Sequence, residues 1–249
     1  MRLSLNGLIL YYAFNIKREM RRNTFIVLAL LMLVSPTMTL AQGYICSDQG
    51  TQLHYIRRYA GNGKVKWRHT MTIDRVTMLP DGARRIEYDS DFKKANGRQM
   101  YGGPVSLTSD ILSDGTVRMN VSQTMFSLLR NIFPKTEITN SECVTSLPSV
   151  MRAGDILPDV VSAVAARGVE YRMAVTGRKV TGTDTVTTPA GIFPCVVVSE
   201  HKVEKTIGYS RETTAHTWYC EGVGMVRHDT YDKNMILETS EVLEKISKQ

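Results

Sequence analysis

The amino-acid sequence predicts a mainly β protein: an antiparallel sheet with one short amphipathic helix packed across it. Three observations predict this. Apolar and polar residues alternate with period two over many short stretches. Glycine, proline, asparagine and aspartate gather between those stretches at the spacing of hairpin turns. After residue 41, one segment alone changes convincingly to a helical period.

The elements follow in order. Leu53 to Tyr59 reads as a strand that turns at Gly61-Asn62-Gly63 into a second strand. There Val65, Trp67, His69, Met71 and Ile73 face one way and Lys64, Lys66, Arg68, Thr70 and Thr72 the other. Pro80-Asp81-Gly82 marks the next turn, and Ile86 and Tyr88 alternate with Arg85, Glu87 and Asp89 beyond it. Asp114-Gly115 introduces a strand from Thr116 to Ser122. Met125, Phe126, Leu128, Leu129, Ile132 and Phe133 then fall on one helical face, with Ser122 or Thr124 as cap and Pro134 as terminator. Neither a helix with one apolar face nor a half-apolar sheet can bury that face alone, so the helix is expected to lie across the sheet.

A passage rich in proline, glycine and aspartate, residues 147–159, separates a 42–146 half, a β-meander with the helix, from a 147–249 half that is expected to continue the same sheet. In the second half Val169, Tyr171, Met173 and Val175 alternate with Glu170, Arg172 and Ala174. Cys195 to Val198 is apolar on both faces and reads as a central strand. Strands at 215–220, 225–231 and 235–246 complete the set, separated by Glu221-Gly222-Val223-Gly224 and Asp232-Lys233-Asn234.

The first forty-one residues read as an address. A basic segment, Lys17 to Arg22, precedes the apolar run Phe25 to Val34, and Thr39 and Ala41 supply the small residues that a signal peptidase requires. The expected product of cleavage after Ala41 begins at Gln42. Residues 1–19 fit poorly as a leader, which makes Met20 the better start. Ile45 before Cys46 argues against a lipoprotein signal. The chain is expected in the periplasm or outer envelope of a Gram-negative bacterium, with no transmembrane anchor after cleavage. The formal charge of +7 includes a surplus of four in the leader, leaving +3, a weak footprint for nucleic acid.

Cys46, Cys143, Cys195 and Cys220 remain after cleavage. An even count in an exported chain favours disulfides, and four cysteines allow three connectivities. Pairing Cys195 with Cys220 and Cys46 with Cys143 keeps each bridge within its half; buried thiols or a zinc site are the alternatives. Zinc ligand spacing is absent, so no metal and no cofactor is expected. Of the histidines, His69 lies on an apolar strand face as a core residue, and His216 and His228 face each other across a hairpin as the best metal pair. Asp89, Asp91, Asp155 and Asp159 are the carboxylates that glycoside chemistry would use if they met in space, and nothing selects them over turn residues. No Gly-x-Ser-x-Gly elbow, His-Glu-x-x-His or phosphate loop is present. Lys64, Lys66 and Arg68 form a basic stripe.

Thr188-Pro189-Ala190-Gly191-Ile192-Phe193-Pro194-Cys195, Trp218-Tyr219-Cys220-Glu221-Gly222-Val223-Gly224-Met225-Val226 and Gly154-Asp155-Ile156-Leu157-Pro158-Asp159 together resemble motifs of the TapB-like family, a domain-of-unknown-function 3108-like family of exported bacterial proteins. The resemblance is specific over 147–243 and faint over 46–120. It implies a curved antiparallel sheet or open barrel and gives structural roles to Pro189, Gly191, Trp218, Gly222 and Gly224. Here Pro194 stands where the family has an acid and Cys220 where it has a small residue, which strengthens the Cys195–Cys220 pairing. The resemblance supplies no catalytic residue.

Three readings of function follow. The first is a non-enzymatic module binding an apolar or lipid-like ligand, with Met125, Phe126, Leu129 and Phe133 lining a cavity between helix and sheet. The second is a structural protein that presents its edges or basic stripe to an envelope component. The third is a hydrolase with a dispersed site, which needs a buried carboxylate or histidine beside a second polar group.

Overall fold

The computed structural model describes residues 42–249; the expected leader, the expected cleavage after Ala41 and the expected start at Met20 lie outside the described residues. The described chain forms one antiparallel sheet of thirteen strands and one helix. Its elements are β1 (Thr51–Tyr59), β2 (Val65–Met78), β3 (Arg84–Lys94), β4 (Val105–Ile111), β5 (Val117–Asn120), α1 (Val121–Ile132), β6 (Ile138–Asn140), β7 (Val144–Leu147), β8 (Val160–Ala166), β9 (Val169–Thr188), β10 (Gly191–Thr206), β11 (Tyr209–Cys220), β12 (Gly224–Tyr231) and β13 (Leu237–Lys248). The strand order is β6-β8-β9-β10-β11-β12-β13-β1-β2-β3-β4-β5-β7. Strands from both sides of the 147–159 passage therefore share one sheet, joined where β13 pairs with β1.

The two edge strands, β6 and β7, are separated in the chain only by residues 141–143, so the sheet curls until its edges approach. The ladder does not close. The gap is spanned by α1, which packs on β4, β6, β7 and β8. Arg178 of β9 also crosses it, donating from Nη1 to Thr145 Oγ1 of β7 (2.7 Å) and to the Pro158 carbonyl (2.9 Å). Arg178 is buried, and Glu200 compensates its charge at 3.3 Å.

The helix starts about a turn earlier than its apolar period indicates. Asn120 is the cap: its Oδ1 accepts from the Gln123 amide (2.9 Å), while Ser122, expected there, is buried inside the first turn and accepts from the Cys143 amide (2.8 Å). An asparagine that ends a strand does both jobs, so the sequence shows no separate signal.

Residues 42–46 run as a strap across one end of the curled sheet. Gly222 donates to the Gly43 carbonyl (2.9 Å), and a Cβ at Gly43 would lie 2.4 Å from Val117 Cγ2 and 2.9 Å from the Gly115 carbonyl. Only glycine fits that crossing. Gly222 and Gly224 take positive φ (72° and 96°) in the turn beneath the strap, which accounts for those two motif glycines. The turns β2–β3, β4–β5, β9–β10 and β11–β12 lie at this strapped end. The turns β1–β2, β3–β4, β8–β9, β10–β11 and β12–β13 lie at the other, called here the rim. Near the strap the core is solid: Leu53, Ile73, Ile86, Val117, Val226 and Leu243 are essentially inaccessible.

Candidate functional site

Along the concave face the inward positions change character between the two ends. In β1 the phase Leu53, Tyr55 continues to Arg57; in β13, Leu243 gives way to Glu241 and Thr239; in β12, Val226 gives way to His228 and Thr230. Arg57 donates from Nε to Thr239 Oγ1 (2.9 Å), from Nη1 to Glu241 Oε2 (3.3 Å) and from Nη2 to Thr230 Oγ1, and its guanidinium lies over the Trp67 ring at 4.7 Å. Glu241 also meets Trp67 Nε1 (3.4 Å) and His69 Nδ1 (3.6 Å). His69 in turn contacts Ser90 Oγ (3.3 Å) and stacks on Phe92 at 4.1 Å. His69 is thus a satisfied interior residue, as its strand face implies.

Burial by itself raises the Glu241 carboxyl, but His69, Arg57 and His228 outweigh it and hold the group below the usual carboxylate range. Burial, reinforced by the Arg57 charge, pushes His228 down to about 4; its Nδ1 pairs with Thr217 Oγ1 at 2.8 Å. Nearer the rim stand Lys66, Lys202 and Arg211, balanced by Glu204 and Glu238. Lys202 pairs with Glu204 (3.3 Å), Arg211 with Glu238, and Tyr171 donates to Glu204. Burial lowers the Lys66 ammonium, and Arg57 and Arg211 lower it further. From the 95–104 loop Tyr101 reaches in to meet the edge of Phe92 (5.5 Å); burial raises its hydroxyl, helped by Glu204 and Glu241. The same loop touches the helix end, where Asn131 Nδ2 donates to the Pro104 carbonyl (2.9 Å).

Lys66 corrects the expected basic stripe. A β-bulge in the β1–β2 ladder, where Arg57 pairs with Trp67 but Arg58 with Val65, turns Lys66 inward over the Tyr59 and Trp67 rings. Arg68 stays outside and pairs with Glu244 (3.2 Å), so the stripe is split between two faces. The His216–His228 pair also fails. Thr217, not His216, is opposite His228, and His216 packs against Tyr231 and Trp218 on the other face. No group of three or more metal-ligating side chains occurs among the described residues. The four aspartates do not meet: Asp89 accepts from Ser106, Asp91 pairs with Lys93, Asp155 caps Arg152 and Asp159 accepts from the Gly177 amide.

Met125, Phe126 and Leu129 are half-buried and Phe133 is exposed, with Arg130 over Phe126 and Arg167 over Phe133. Trp218 donates from Nε1 to Asp184 (2.9 Å) under the Arg227 guanidinium. All four cysteines are buried free thiols. Cys46 belongs to the main core and Cys143 to a separate small cluster with Val160 and Val175, so that expected pair is not brought together. Cys195 and Cys220 lie one step beyond the Val196–Tyr219 register pair with their thiols in contact, and burial pushes the Cys195 thiol up to about 12. Both line a cavity of about 860 Å³ at the strapped end with Gln42, Tyr44 and Asp184. A second cavity, about 590 Å³, surrounds Asp110, which Arg85 and Arg118 bind at 2.9 and 2.8 Å.

The sequence reading missed the Arg57–Glu241 pair, although a signal existed: each is a charge in phase with buried apolar residues of its own strand. Lys66 had no such signal, because a bulge leaves no trace in the alternation.

No curated protein matches the chain. Among solved structures it is similar to a candidate lipoprotein from Parabacteroides distasonis, with TM-score 0.69 and 20% identity over 83% of this chain and 99% of the other. It is also similar to a candidate exported protein with a YmcC-like fold from Bacteroides fragilis, with TM-score 0.67 and 20% identity over 83% and 100%. At that identity the likeness shows the fold. The family model described as DUF3108-like matches residues 48–243, and the chain belongs to that family.

Proposed function

We propose that this chain is an exported, non-enzymatic binding module of the bacterial envelope whose ligand is lipid-like and amphiphilic. The observation that carries the reading is a juxtaposition at the rim. There the helix that carries half-buried Met125, Phe126 and Leu129 and exposed Phe133 ends against the 95–104 loop, through Asn131 and Pro104, and the same loop sends Tyr101 toward the end of the concave face where Arg57, Lys66, Lys202 and Arg211 gather. An apolar chain against the helix and an anionic head toward the cations suits both. Beneath the strap the interior of the sheet is filled by Leu53, Ile73, Ile86 and Leu243. The Arg57–Glu241–His69 cluster is the buried carboxylate beside polar groups that the hydrolase reading asks for, and its members are taken up in bonds to one another. The leader and the exported character of the two similar structures support the address.

The test uses 1-anilinonaphthalene-8-sulfonate, an aryl anion, as probe for the protein recovered from the cell envelope. The probe is expected to brighten on binding, and Lys66→Glu/Lys202→Glu and Met125→Ser/Phe133→Ser are each expected to weaken binding about tenfold with unchanged circular dichroism. No binding, or binding that both variants leave intact, overturns the reading.

The same address bears on the adjacent thiols. We infer that Cys195 and Cys220 form a disulfide when the envelope's oxidising machinery removes their two electrons and two protons; their free thiols touch one step beyond the Val196–Tyr219 pair and must close to an S–S separation of about 2.0 Å. Alkylation of unreduced, denatured protein should label Cys46 and Cys143 only. Labelling of all four sinks the idea.

A further inference from the structure

The turns at the two ends of the sheet carry opposite charge. At the strapped end, residues 79–83, 112–116, 189–190 and 221–223 contain Asp81, Asp114 and Glu221 and no lysine or arginine. At the rim, residues 60–64, 95–104, 167–168, 207–208 and 232–236 contain Lys64, Arg98, Arg167 and Lys233 against Asp232. Asp232 is occupied in holding its own turn, accepting from the Asn234 and Ile236 amides at 2.9 and 2.8 Å.

The rim also exposes large apolar side chains at hairpin tips, where polar residues would serve the turn as well. Ile207 is 76% exposed, Ile236 63% and Met235 53%. The β10–β11 and β12–β13 hairpins are neighbours, and the first reaches further out: Thr214 pairs with Tyr231 at the base of the second tip, whereas β11 begins at Tyr209, beyond it, just after its own turn. Met235 holds φ at 61°, a conformation that glycine or asparagine adopts more cheaply. Scattered exposed apolar residues are ordinary on a protein surface. Adjacent apolar tips, one of them strained, ringed by cations at one pole of a charge-polarised sheet are a more specific arrangement.

We propose that the rim docks on an anionic phospholipid surface, with Ile207, Met235 and Ile236 entering the headgroup layer and Lys64, Arg98, Arg167 and Lys233 meeting phosphates. The acidic strapped end then points away from the membrane, so charge fixes the orientation as well as the affinity. Docking rests on the turns alone and stands apart from the ligand reading above.

The test is co-sedimentation of the envelope-recovered protein with vesicles of phosphatidylcholine and phosphatidylglycerol at 3:1, against phosphatidylcholine alone. Binding is expected to be at least about tenfold tighter to the anionic vesicles and to be largely lost in 0.5 M sodium chloride, since such contacts are screened (~10 Å Debye length at 0.1 M and ~3 Å at 1 M). Ile207→Ser/Ile236→Ser and Lys64→Glu/Arg98→Glu/Lys233→Glu should each weaken it about tenfold, and all these positions are exposed turn residues whose replacement spares the core. Absence of binding by the parent, equal binding to both vesicles, or parent-like binding by either variant overturns the proposal.

Discussion

Arg57→Met is expected to lower the unfolding free energy by about 3–5 kcal/mol, the scale found when one partner of a buried ion pair is removed. The Glu241 side chain is 6% exposed, and among the described residues it leans on Arg57 for its full positive charge at bonding distance. Methionine keeps most of the aliphatic stem, so the loss reports the charge and its hydrogen bonds to Thr239 and Thr230 rather than a large cavity. In urea the midpoint should fall by about 1–2.5 M, given a slope of ~2–3 kcal/mol/M for a chain of this size. The double variant Arg57→Met/Glu241→Leu should recover most of that loss, because a buried pair can often be replaced by apolar side chains of similar volume. A single-variant loss below about 1 kcal/mol would place this pair in the class of surface ion pairs.

Stability is also expected to fall as pH drops from about 6.5 toward 4, through His228. In the folded protein the ring keeps a pKa of about 4 because burial and the Arg57 charge oppose protonation, whereas the unfolded chain takes its proton near the ordinary 6.5. Between those values the unfolded state binds the extra proton. The stabilisation is therefore fully present above pH 6.5 and is lost as pH falls toward the folded value, about 2.5 kcal/mol of it by pH 4.5. His54, lowered by its partial burial, adds a smaller slope of the same sign. His228→Asn places a neutral amide near the Nδ1 position that meets Thr217 and removes the titration. Urea unfolding of parent and variant at pH 7 and 4.5 separates the two. A variant whose stability falls as steeply as the parent's would remove His228 as the cause.

Both predictions concern residues whose importance the alternating pattern only half reveals. Period two placed Trp67, His69 and Ile73 on one buried face and put strands at 53–59, 85–89 and 225–231, the second of which runs on to Lys94, because side chains on a strand must alternate and one face of this sheet excludes water. It shortened β10, whose inward positions pass from Val198 to Glu200, Lys202 and Glu204 and so lose the apolar signal, although the strand continues to Thr206. It overlooked β4, β6, β7 and β8, which are short or lie near the seam, where partners far along the chain define the strand.

The sequence by itself determined the export address as an expectation, the antiparallel β class, the single helix and the turn glycines, since each rests on local steric or solvation rules that act within a few residues. Tertiary structure alone decided the rest. Curling brings β6 and β7 together, a bulge turns Lys66 inward, and pairing of β1 with β13 sets Arg57 against Glu241 across 184 positions of chain. Which charges meet inside a curved sheet depends on register and curvature summed over thirteen strands, and no local pattern carries that sum.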